Sequence, residues 1–167
     1  MKKIIFLAAF IITSLAANAQ MATFQAIYIL NFANNTSWPT EDKDKDFIIT
    51  VIGDNELADA LVKLSKTKRV ANRKVIIKEV ASFKELAPSQ IIYLGRSKAA
   101  QIQNVRESQR GKQTLIISGK EGHCLYGAGI AFVSKGGKLN FEISPTNIAQ
   151  HNLSVSKKII TLGTEIQ

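Results

Sequence analysis

The spacing of apolar positions changes period several times along this chain. "FIITVIG" (47–53), "KVIIKEV" (74–80), "IIYLG" (91–95) and "TLIISG" (114–119) are short β-branched runs bounded by polar residues or glycine. Each is predicted to be a buried strand. Between the first two, "DNELADALVKLSK" (54–66) places Leu57, Leu61 and Leu64 at helical spacing, with Asp54 or Asn55 as N-cap. "KAAQIQNVRESQR" (98–110) has a thinner apolar face of Ala99, Ile102 and Val105, with Ser97 to cap it and Gly111 beyond its end. "GIAFVSKGGKLNFEIS" (129–144) alternates Ile130 and Phe132 on one arm with Leu139, Phe141 and Ile143 on the other. Gly136-Gly137 supplies the positive-φ turn of a hairpin. Ser144-Pro145 then reads as an N-cap with proline at the first helical position. A last short helix over "SKKIITLG" (156–163) is predicted to end the domain.

Strands separated by helices favour a covered, partly parallel sheet. The expected fold is therefore a single α/β sandwich, with a mixed, mostly parallel sheet, flanking helices and a C-terminal β-hairpin. "MATFQAIYILNFA" (21–33) is apolar nearly all round, which predicts a helix buried against that sheet. Pro39 disfavours helix at Trp38 and forces the exit, and Trp38 is large enough to plug the core edge as the chain turns. Phe32 is predicted core. Asn31 is polar within an apolar run, so a buried placement would oblige it to hydrogen-bond.

The first twenty residues change the picture of where the chain works. "MKKIIFLAAFIITSLAANAQ" has two lysines, an apolar run from Ile4 to Ile12 and the triplet Ala17-Asn18-Ala19. This is the order of a secretory signal peptide, cleaved after Ala19; the run is far shorter than the ~20 residues needed to span a bilayer. Residues 20–167 then form the mature domain, periplasmic in a bacterium. The single cysteine, Cys124, supplies no lipid-bearing N-terminus and no internal disulfide.

The net charge is +9. Strong basicity often marks a nucleic-acid binder, but export removes most of that argument, and no nucleic acid is expected. The densest basic stretch, "KTKRVANRKVIIK", holds Lys66, Lys68, Arg69, Arg73, Lys74 and Lys78. It reads first as a solvated loop with one strand face, and otherwise as a patch for an acidic partner surface or for anionic lipid headgroups.

Chemistry-bearing motifs are sparse. Three predicted strands end alike, at Gly53-Asp54, Gly95-Arg96-Ser97 and Ser118-Gly119. Parallel strands would bring these ends to one edge, where open α/β sheets form ligand crevices. Asp54, Arg96, Ser97, Gly119 and His123 are the candidate crevice residues. "SGKEGHCLYGAG" (118–129) is rich in glycine, but fits neither the dinucleotide nor the phosphate-loop spacing; a mobile loop is expected. His123-Cys124 lacks the further ligands of a zinc site, and adjacent residues rarely converge as a nucleophile and its base. No metal, cofactor or enzymatic activity is expected.

Landmarks across nearly the whole mature chain add to this. "FQAIYILNFANNTSWP" carries Ala26, Asn31, Phe32, Trp38 and Pro39; "FIITVIGD" and "SQIIYLG" follow; then "GAGIAF", with Gly127, Ile130 and Phe132, "FEIS" and "NLSVSKKIITLG". In order and spacing these resemble the YfiR-like family of bacterial periplasmic regulators, where such positions are mainly structural. Ser89 stands where a cysteine is common, Gly119 where aspartate is, and His123 where phenylalanine is. The resemblance implies a non-catalytic protein that binds the periplasmic part of an inner-membrane signalling protein, typically a diguanylate cyclase, and holds it inactive. It implies an outer-membrane lipoprotein as a second partner, and leaves a homodimer open. The alternative reading is a periplasmic small-ligand sensor feeding a histidine kinase or transporter.

Overall fold

The computed structural model describes residues 20–39 and 44–167. The expected leader with its cleavage after Ala19, and part of the charged run 41–46, lie outside the described residues. The chain opens with helix α1 (20–34) and continues through β1 (Thr36–Ser37), β2 (Phe47–Ile52), α2 (Asn55–Ser65), β3 (Val75–Val80) and β4 (Ile91–Leu94). Then come α3 (Ile102–Ser108), β5 (Leu115–Ser118), β6 (Ile130–Lys135), β7 (Lys138–Ile143), α4 (Pro145–Gln150), β8 (Ser154–Val155), α5 (Lys157–Leu162) and β9 (Thr164–Glu165).

The main sheet has the order β3-β2-β4-β5-β6-β7-β9. The pairings from β3 to β6 are parallel, β6–β7 is antiparallel, and β9 runs parallel to β7. This is the expected α/β sandwich with its hairpin. Period-two alternation splits the strands between two cores. Ile91, Tyr93, Leu115 and Ile117 face α1 and α2, whereas Ile92, Leu94 and Ile116 face Ile102 and Val105 of α3. The hairpin has the expected register: Ile130 opposes Ile143 and Phe132 opposes Phe141, with Gly136 at φ 60° and Gly137 at φ 73°. The chain does not end on α5, as expected, because β9 adds a further strand at the sheet edge.

Helix α1 buries Ala22, Ala26, Ile29, Leu30, Phe32 and Ala33. Phe32 stacks edge-on against Phe141 with ring centroids 4.9 Å apart. The helix is not buried all round, however. Phe24 and Ile27 are nearly half exposed (46% and 47%), and Asn31 lies on the surface. Asn34 makes the tertiary bonds instead: its Nδ2 donates to Arg69 O (3.3 Å), as well as to Leu30 O one turn back (3.0 Å), and its Oδ1 accepts from Ala71 N (3.2 Å). After α1, β1 pairs with β8, and Ser156 N donates to Asn35 O at 2.9 Å. Half-buried Trp38 then meets Phe47 edge-on at 5.1 Å, closing the core at the first strand.

Candidate functional site

The sheet reverses its direction of growth at β2: β3 is added on one side, and β4 and β5 on the other. In such sheets the chain ends of the two diverging strands leave a crevice. Register places Ile52, Leu94 and Ser118 side by side at that edge, so the three predicted strand ends do converge. A crevice of about 410 Å³ opens there, lined by Asp54, Glu56, Tyr93, Arg96 and Gly119, with Gln25 among the α1 residues above it.

Within this crevice Asp54 has two tasks. Its Oδ1 caps α2 by accepting from Leu57 N (3.1 Å), and its Oδ2 accepts from the Tyr93 hydroxyl (3.2 Å). Gln25 lines the crevice beside the same hydroxyl. Burial first, and the Asp54 carboxylate second, hold the Tyr93 hydroxyl far above the ordinary phenol range, so it stays a donor. Gly119 makes this network fit, because a Cβ there would lie 2.4 Å from the Tyr93 hydroxyl oxygen. Arg96 is exposed on the crevice wall. Ser97 does not cap α3, which is entered through a 3-10 turn at Arg96–Gln101; its Oγ donates to Gly53 O (2.8 Å) and ties two strand ends together. Tyr93, Gln25 and Glu56 escape a reading of strand ends alone. The available signal was a phenol inside "IIYLG", an otherwise wholly apolar buried run.

His123 does not line the crevice. It is 4% exposed, and its Nδ1 lies 2.8 Å from Ser118 Oγ. Ser118 Oγ already accepts from Lys120 N (3.1 Å), so its own O–H is available to donate to the imidazole. Burial, then the Lys120 charge, lower the His123 pKa. In place of the expected mobile loop, His123–Tyr126 is a 3-10 turn held at both ends. Gly122 N donates to Glu142 Oε2 (2.8 Å), and Asn147 Nδ2 donates to Cys124 O (2.7 Å) and Ala128 O (2.9 Å). Burial, with Glu142 adding to it, pushes the Cys124 thiol up to about 12. A reactive cysteine needs the opposite shift. Leu125 and Tyr126 point outward, 71% and 52% exposed.

The basic stretch divides. Lys66, Lys68, Arg69, Lys74 and Lys78 are exposed, although Arg69 Nη1 donates to Ser65 O (3.0 Å) at the end of α2. Arg73 is not part of that surface. It is 7% exposed, donates to Lys45 O and Asp46 O, and lies over the Phe47 ring. The tight turn at Ala71-Asn72, both at positive φ, folds it inward. Among the described residues there is no group of histidine, cysteine or carboxylate side chains arranged to hold a metal, and no helix long and apolar enough to cross a membrane.

The family model described as YfiR/HmsC-like matches residues 22–164. The chain belongs to the YfiR/HmsC-like family. No curated protein matches the sequence. Ala26, Phe32, Ile130 and Phe132 are buried, while Asn31 and Pro39 are exposed beside half-buried Trp38. Gly127 sits at φ 104°, and a Cβ on it would come within 2.4 Å of Arg106 Cδ. Ser89, at the position where a cysteine is common, is buried and bonded to Thr50 Oγ at 2.7 Å.

Proposed function

We propose that this protein is a periplasmic, non-catalytic regulator that binds an inner-membrane signalling protein, of diguanylate cyclase type, and holds it in its inactive state. Membership of the YfiR/HmsC-like family carries this reading. The leader and the outward-facing Phe24, Ile27, Leu125 and Tyr126 are in keeping with an exported binding protein. Repression requires only that the domain prefer one receptor state; a tenfold preference is ~1.4 kcal/mol of coupling. An outer-membrane lipoprotein that sequesters the domain would relieve the repression. The test is in-cell cross-linking of the mature protein, with signalling output measured in a deletion strain. Capture of an inner-membrane cyclase, with output rising on deletion, is expected. Unchanged output with no membrane protein captured would overturn the reading.

A second reading, a small-ligand sensor, draws on the crevice at the strand reversal. Arg96 offers a charge there beside the Asp54–Tyr93 pair. Under that reading, Arg96→Gln abolishes ligand binding without altering the melting temperature.

A further inference from the structure

Strand β7 is paired with β6 along its whole length, but β9 covers only Glu142 and Ile143. Among the described residues, no strand lies beside residues 138–141 on that side. Lys135 and Lys138 close the two-residue turn and stand directly opposite one another. A closing pair of this kind bonds backbone to backbone, and alternation then turns the N–H and C=O of Leu139 outward.

Beside this edge runs an open groove of about 620 Å³, walled by Met21, Phe24 and Tyr28 of α1 and by Leu139. Among the described residues that line it, Lys138 alone is charged. Like charges directly opposite across a hairpin repel, and neither Lys135 nor Lys138 forms an ion pair with a described residue. We propose that the open edge of β7 is a docking site for an extended, acidic segment of a partner protein, which adds to the sheet as a strand.

Charge selects the occupant. Lysine at an open edge discourages pairing with a second copy. The same lysines favour a carboxylate-bearing strand. Geometry supplies the rest of the pattern. Side chains of an added strand alternate between the Leu139 face, where the apolar groove lies, and the Lys138 face. The partner segment therefore alternates apolar and acidic residues. This deepens the regulatory reading, on which the identity of the partner rests. A peptide assay needs no receptor, so the two readings fail separately.

The probe is a blocked hexapeptide alternating valine and glutamate, titrated into the periplasmic form of the chain and followed by amide hydrogen exchange. Saturable binding with slowed exchange at the Leu139 amide is expected. The double variant K135E/K138E, changed only at exposed positions, should weaken binding about tenfold or more. A peptide N-methylated on its pairing edge should not bind, and one with lysine in place of glutamate should bind far more weakly. Equal binding of either control peptide, or no protection at Leu139, overturns the proposal. So does a dimer of the chain that excludes the peptide, which would put a second copy on the edge.

Discussion

The hydroxyl of Tyr93 occupies the space that a side chain at position 119 would need. Gly119→Ala should therefore push the buried ring off Asp54 and lower stability by ~1–3 kcal/mol, as overpacking does. The same substitution should cost much less in a Tyr93→Phe background, where the oxygen is gone; denaturant melts of the double-mutant cycle measure the difference. His123 gives a prediction of a different kind. Burial depresses its folded-state pKa, so the unfolded chain binds the proton more readily. Its contribution is then complete above the ordinary imidazole value near 6.5 and falls as pH drops below it. His123→Phe should flatten the fall in stability that begins as the pH drops below about 6.5. A variant profile as steep as the parent's would show that His123 is not the group responsible.

At the scale of elements, strand and hairpin positions were legible because period and turn chemistry are local. Gly136-Gly137 needs nothing beyond its neighbours to turn the chain. Ser144 with Pro145 likewise caps α4 as predicted, its Oγ accepting from Asn147 N at 3.3 Å. What escaped was set by distant partners. β1 exists because β8, more than a hundred residues away, pairs with it, and β9 exists because β7 has a free edge. Asn31 and Asn34 show the same limit, since both end the same apolar run. Only Asn34 meets the turn after α2, so which asparagine matters depends on helix rotation. Asn34→Ala should cost ~1–2 kcal/mol through its lost bonds, whereas Asn31→Leu should leave the melting temperature nearly unchanged. Equal effects would mean that α1 is rotated so that Asn31 also bonds to the turn after α2. The candidate crevice was half legible for similar reasons: strand ends located Asp54, Arg96 and Gly119, while His123 turned inward to meet Ser118.

For the whole molecule, the excess of basic charge should matter more for encounter than for cohesion. The exposed cations of the 66–78 stretch lie on one loop and strand, while Arg73 in the same stretch fastens the loop before β2. These two uses of positive charge separate experimentally. Arg73→Ala leaves two backbone carbonyls without their donor and removes a cation from the Phe47 face, and should cost about 2 kcal/mol or more. Reversing Lys66, Lys68 and Lys78 to glutamate should leave stability within about 0.5 kcal/mol, because exposed charges contribute little to the fold. With the receptor segment captured by cross-linking, the same triple variant should associate more slowly at low salt while dissociating at nearly the parent rate. The difference should shrink at high ionic strength, where screening confines charge effects to a few ångströms. Stopped-flow association at two salt concentrations reads this directly. A variant that dissociates faster but associates normally would place these lysines inside the contact, and the steering role would then be wrong.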